Sequence, residues 1–232
     1  MLKILGGSST KHIAFEVSKE LGIKYVPLVH KRFPDGDKYI RIMDDGIKNS
    51  IYIVIQSLYR TPDDFLLEYF LIVDTLKRKG AKKVISFFPY FAYARQDMEF
   101  KPGEPISFKT IGKLIESIGT DQVFTFDVHL HRIKSLSEVF NIPAKNFTLL
   151  PDIAVYIKNT LKLNEAIIIG PDEESEQWAS VASEKTGFRY DILKKERHGD
   201  YDIEIKPREL SIKNKSIIST FLLLLLFMFL VG

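Results

Sequence analysis

The chain lacks cysteine altogether among its 232 residues. Disulfides, thiolate metal sites and a cysteine nucleophile are therefore excluded. It also lacks a strong charge of one sign: Lys plus Arg number 33, Asp plus Glu 30, and the formal net charge is +3. Nucleic-acid-binding domains carry a pronounced basic excess, so no nucleic-acid partner is expected. The opening MLKILGGSST has no long apolar core and no small-residue cleavage signature, so no secretory signal is read and a cytoplasmic location is expected. No repeat of fixed period and no low-complexity tract precedes the C-terminal stretch. What is present is globular in kind, with 45% apolar and 27% charged residues, at a length suited to one large domain or two ordinary ones.

One segment departs from this pattern. Phe221 to Val231 is an unbroken apolar run, and only Ser219 and Thr220 interrupt it back to Ile217. A membrane helix needs about 20 apolar residues, and no basic residue follows the run, so membrane insertion is not expected. A core strand is not expected either, because strands are mostly about 3–10 residues long and no turn signal follows. The remaining reading is an abnormal end to the reading frame, with hydrophobic association through residues 217–231.

Elsewhere strand and helix alternate. Leu2–Leu5 is an apolar run closed by Gly6-Gly7-Ser8-Ser9, and Thr10–Leu21 is helical and stopped by Gly22. Ile51–Ile55 reads as a strand. Thr61 is a helix cap, Pro62 suits the first helical position, and Asp63 and Asp64 suit the positive end of the dipole. Leu66, Tyr69, Phe70, Val73 and Leu76 follow at helical spacing up to Gly80. Val84–Phe88 and Val123–Phe126 are strands around a helix at Ile106–Ile118. Asp152–Leu161 (helix), Ala166–Ile169 (strand) and Glu173–Lys185 (helix) resume the order after a boundary at Pro143–Pro151. Apolar strands alternating with helices imply a parallel sheet covered on both faces, which is an α/β fold.

Ligands of such sheets sit beyond the carboxyl ends of the strands. Residues 89–97 (PYFAYARQD), Asp127-Val128-His129 and Gly170-Pro171-Asp172 all follow strands. If strand alternation continues, Asp127 and His129 point the same way, and oxygen with imidazole suits Mg²⁺ shared with nucleotide phosphates. A loop-stabilising pair is the plainer alternative. Asp172 is either a helix cap or a carboxylate facing metal or sugar, and Glu173, Glu174 and Glu176 favour a helix start. Lys194, Lys195, Arg197 and His198 form either a phosphate-binding cluster or a solvated strand end or hairpin. Phe33-Pro34-Asp35-Gly36-Asp37 is a turn leading into Tyr39–Ile42, so an extended hairpin with an aromatic tip is expected.

Together FPDGDKYIRI (33–42), PYFAYARQD (89–97), KPGEPISFKTI (101–111), FDVH (126–129), GPD (170–172) and KKER (194–197) resemble the ribose-phosphate diphosphokinase, or PRPP synthase, family. The resemblance runs from about Ile4 to about Thr220. It implies two phosphoribosyltransferase-type (type I) domains with parallel sheets flanked by helices, at 1–145 and 146–232. The second is expected to be incomplete and to end in the apolar tail 217–231. It implies transfer of the β,γ-diphosphoryl group of ATP to ribose 5-phosphate, giving PRPP and AMP with Mg²⁺ as cofactor. It also implies a homo-oligomer, a dimer or a hexamer, in which the 33–37 loop reaches a neighbouring subunit.

Residue by residue, the resemblance assigns ATP contacts to Phe33, Asp35, Asp37, Arg95, Gln96 and Asp97. His129 is matched to the Mg²⁺–ATP ligand with possible support from Asp127, and Asp172 to an acid near ribose and a second metal. Lys195 and Arg197 are matched to the pair that stabilises the transition state. The family's Asp-Asp and Gly-Gly-Thr ribose-phosphate loop is not found around Ile217-Ile218-Ser219-Thr220. Met98 and Glu99 follow where many relatives carry an arginine. An inactive nucleotide-binding remnant, or a non-catalytic subunit, is the alternative expectation.

Overall fold

The computed structural model describes residues 1–130, 132–197, 203–206, 216–220 and 223. They divide into two units, one over Met1–Phe147 and one opening at Thr148.

In the first unit, β1 (Leu2–Gly6) leads through a 3-10 turn into α1 (Lys11–Leu21), then β2 (Lys24–Val26), β3 (Leu28–Arg32), β4 (Lys38–Ile42) and β5 (Ile51–Ile55). Next come α2 (Pro62–Arg78), β6 (Lys83–Phe88), α3 (Ser107–Ser117), β7 (Gln122–Phe126) and β8 (Ala144–Phe147). Six strands pair in parallel in the order β2-β1-β5-β6-β7-β8, while β3 and β4 form a separate antiparallel hairpin.

The apolar runs explain both faces of the sheet. Leu5, Tyr52, Val54, Val84, Phe88 and Val123 point to a core shared with Tyr69, Ile72, Val73 and Leu76 of α2 and Phe108 and Ile115 of α3. Ile4, Ile53, Ile55 and Phe87 point the other way, against Ala14 and Val17 of α1. Burying one such aliphatic side chain contributes about 1.5–3 kcal/mol. α1 stops where Gly22 takes φ +62 and donates its N–H back to Lys19 O, a left-handed cap that a side chain would strain.

In the second unit, α4 (Leu150–Thr160), β9 (Ala166–Gly170), α5 (Glu176–Thr186) and β10 (Arg189–Ile192) follow the expected alternation. β11 (Lys194–Arg197) and β12 (Ile203–Lys206) make an antiparallel hairpin, and β13 (Ser216–Ser219) returns to the sheet. The sheet order among the described residues is β10-β9-β13, all parallel. The core joins Leu150 and Ala154 of α4, Ala179 and Ala182 of α5, Ile168, Ile192, Ile218 and Leu223.

Three expectations change. The start of the apolar stretch does not stand apart from the fold: Ile217 and Ile218 pair with Ile167 and Ile168, and Ile218 and Leu223 are buried. Residues 221, 222 and 224–232 lie outside the described residues. Among the described residues no helix is long and apolar enough to cross a membrane. Thr61 occupies the N-cap of α2 and its carbonyl accepts the Phe65 N–H at 3.2 Å, but its side chain makes no cap bond. Strand alternation also fails at Asp127, as set out below.

Candidate active site

β1 runs into Gly6-Gly7-Ser8-Ser9. The Ser8 N–H and hydroxyl donate to the two carboxylate oxygens of Glu68 on α2, at 2.7 and 2.8 Å. Glu68 is 1% exposed, also receives Gln56 Nε2 at 3.4 Å, and lies 3.6 Å from Lys38 Nζ of β4. A Cβ on Gly7 would lie 1.6 Å from Gln56 Oε1, so a larger residue here must displace the buried Gln56 amide. Backbone N–H groups of this kind receive anions elsewhere; here the protein's own carboxylate fills the place.

The β3–β4 hairpin carries Phe33, Asp35 and Asp37. Its turn closes through Phe33 N–H to Asp37 O and Gly36 N–H to Phe33 O, each 2.9 Å, and through Asp37 N–H to Asp35 Oδ1 at 3.2 Å. Phe33 is 44% exposed, packs edge-on to Tyr39 at 5.7 Å, and has Lys31 Nζ 5.1 Å from its centroid. The hairpin is pinned below its tip, where Arg32 donates to Gly36 O and to Asp64 Oδ1 of α2. The Arg32 guanidinium holds the Asp64 carboxyl below its ordinary pKa.

Beyond β6, residues 89–97 loop across the carboxyl end of the sheet. Tyr93 takes φ +65, a conformation rare for a bulky side chain, and its hydroxyl donates to Asp63 of α2. That bond first, and partial burial second, raise the Tyr93 pKa. Arg95 is exposed. Gln96 is half-buried and donates to Glu104 Oε2 at 3.4 Å, while Glu104 also receives the Phe100 and Lys101 N–H groups at 3.1 Å. Asp97 is buried, and both its oxygens are taken by Arg132, one by the guanidinium and one by the backbone N–H, each at 3.1 Å. The Arg132 guanidinium also lies 4.9 Å from the Phe100 centroid. Asp97 therefore ties this loop to the segment after β7.

The same-face argument for Asp127 and His129 does not hold. β7 ends at Phe126, and Asp127 takes φ +41, so the two-residue alternation stops there. The Asp127 N–H still donates to Phe147 O at 2.8 Å, and the Val128 N–H to Asn146 Oδ1 at 3.2 Å. Both residues nonetheless lie at the carboxyl end of the sheet. Among the described residues no three His, Asp or Glu side chains converge as a metal cage. One carboxylate and one imidazole would suit only a Mg²⁺ ion that keeps phosphate and water oxygens as its other ligands.

In the second unit, Asp172 follows β9 and caps a 3-10 turn: its carboxylate accepts from the Ser175 N–H at 3.1 Å. The helix-start reading is thus realised, and one oxygen is used by it. Lys195 and Arg197 lie on β11, opposite Ile205 and Ile203, and only their backbone is described. Residues that the sequence reading passed over are Lys38, Glu68, Glu104 and Arg132. The sequence marks Asp63 and Asp64 only as dipole partners.

As a family, the N-terminal domain of ribose phosphate pyrophosphokinase matches residues 2–119. Over 212 residues the chain is 35% identical to the ribose-phosphate pyrophosphokinase of Pyrococcus furiosus, covering 91% of this chain and 72% of that protein. This chain belongs to the ribose-phosphate pyrophosphokinase family. The Pyrococcus abyssi ribose-phosphate pyrophosphokinase is 36% identical over 91% of this chain and 70% of its own length. The crystal structure of phosphoribosylpyrophosphate synthetase from Mycobacterium smegmatis is similar with a TM-score of 0.79, covering 94% of this chain and 70% of that one. At 23% identity the latter speaks for the shared fold. The family's α/β architecture, with parallel sheets flanked by helices, is the architecture described above.

Proposed function

We propose that this pyrophosphokinase-family chain transfers the β,γ-diphosphoryl group of ATP to the anomeric oxygen of ribose 5-phosphate. That oxygen attacks the β-phosphorus, the bond from the β-phosphorus to the α-phosphate bridging oxygen breaks, and AMP leaves with the bridging oxygen. Such transfer needs little covalent help from protein and rests on alignment and charge neutralisation.

The observation that carries the reading is the loop at 93–97. Its polar groups are tied down by Asp63, Glu104 and Arg132, while Arg95 is left exposed at the sheet's carboxyl end. Arg95 and Gln96 then meet nucleotide, and Asp97 holds the loop through Arg132. Phe33 offers its ring, and Asp35 and Asp37 their acids, from the hairpin tip. His129, with Asp127 in support, would hold the Mg²⁺ that enters with ATP, and that ion neutralises the phosphates. Asp172 would face ribose and a second Mg²⁺, with its cap bond leaving one oxygen for that use. Lys195 and Arg197 supply positive charge to the moving oxygens. A homo-oligomer and a cytoplasmic location belong to the same proposal.

The test is AMP release from Mg²⁺–ATP with and without ribose 5-phosphate. Sugar-dependent AMP that falls about 10²–10³-fold in Arg197→Ala is the expected result. ATP binding without sugar-dependent AMP would mark the chain as a nucleotide-binding remnant.

A further inference from the structure

The hairpin poses an electrostatic problem. Arg32 and Lys38 are cross-strand partners in its last rung before the turn. Like charges directly opposite one another destabilise a strand pair. Asp64 and Glu68 pose the mirror problem on α2, since acids four residues apart repel along a helix face. The structure sets these two pairs against each other: Arg32 meets Asp64, and Lys38 meets Glu68 at 3.6 Å. The second pair is nearly dry, with side chains 11% and 2% exposed. One residue earlier in the helix, Asp63 takes the hydroxyl of Tyr93, whose backbone is held in the left-handed region. Glu68 in addition fixes the loop after β1 through Ser8.

We propose that the first two turns of α2 brace both nucleotide segments, with Asp63, Asp64 and Glu68 as positioning residues that touch no substrate. Asp64 and Glu68 set the 33–37 tip, and Asp63 sets the 93–97 loop. This rests on the assignment of those segments to ATP made above. The bracing lies within one chain, so it holds whether the tip serves its own nucleotide or a neighbour's. It also explains why so short a hairpin, outside the main sheet, keeps two cations in one rung.

The test is a charge swap in the full chain, with Arg32→Asp, Asp64→Arg and the double variant compared by calorimetric titration with Mg²⁺–ATP. Each single variant is expected to bind ATP about 3- to 10-fold more weakly, with the KM for ribose 5-phosphate unchanged. The double variant should recover part of the loss and bind more tightly than either single, short of the parent because the swap does not restore the Arg32 bond to Gly36 O. Tyr93→Phe, which removes only the hydroxyl, should weaken ATP binding about 3-fold while lowering the melting temperature by no more than about 2–4 °C. Amide exchange at Phe33 and Gly36 reads the brace without nucleotide, and it should quicken in each single variant and slow again in the swap. Single variants that bind ATP as the parent does would overturn the proposal, as would a swap no better than its worse single. A parent that binds ATP and shows the swap pattern, yet makes no AMP, would overturn the proposed activity and leave the brace standing.

Discussion

Asp44 shows how a single carboxylate can be tied into the base of the sheet. Burial by itself would raise its pKa, but the Lys3 ammonium, the Tyr52 hydroxyl and the Gly46 N–H together hold it below the usual carboxylate range. A carboxyl held lower in the folded than in the unfolded chain contributes stability above its unfolded pKa of about 4 and loses that contribution as pH falls. Asp44→Asn should therefore flatten the acid limb of a stability–pH curve measured by urea unfolding. At neutral pH it should cost about 3–5 kcal/mol, because Lys3, 3% exposed, is left buried without its counter-charge. Gly7 gives a second test at this scale. Gly7→Ala drives a methyl into Gln56, a buried side chain also bonded to Phe65 O at 3.3 Å. Overpacking of this kind costs about 1–3 kcal/mol, and each kcal/mol lowers the melting temperature of a chain this long by about 2–4 °C. Neither effect could be read from the sequence, because both depend on which side chain lies opposite.

At the scale of elements, long apolar runs were legible. Ile51–Ile55, Val84–Phe88 and Ala166–Ile169 are strands within a residue or so of their expected bounds, and Gly22 and Gly187 end α1 and α5. The hairpin was legible as a hairpin. Its clamps on α2 were not, since the spacing of Asp63, Asp64 and Glu68 along a helix does not reveal what crosses it. Asp127 misled for a related reason: an i, i+2 pair shares a face only while the strand continues, and here a left-handed residue ends it. β13 was missed because the apolar run after it dominated the reading. Its membership of the second unit is testable. Ile218→Ala, at a site 3% exposed between β9 and the helices, should cost about 2–5 kcal/mol and speed proteolysis within Thr148–Leu230. Unchanged proteolysis would remove β13 from that core.

At the scale of the molecule, family membership and the α/β architecture were legible from ordered motifs, none of them specific alone. The roles proposed for Phe33, Arg95, His129, Asp172, Lys195 and Arg197 rest on resemblance, since an exposed cation or a strand-end acid has many plainer uses. Physical reading adds the supports: Glu68 beneath the first loop, Arg132 behind Asp97, and Glu104 gathering the segment that follows. The proposed reaction turns on where ATP is cleaved, between its α- and β-phosphates. Phosphorus NMR of the chain with Mg²⁺–ATP and ribose 5-phosphate reads that directly. The expected result is AMP and 5-phosphoribosyl 1-diphosphate in equal amounts, both absent when the sugar is omitted. ADP or free phosphate as the sugar-dependent product, or no sugar-dependent product at all, would contradict it.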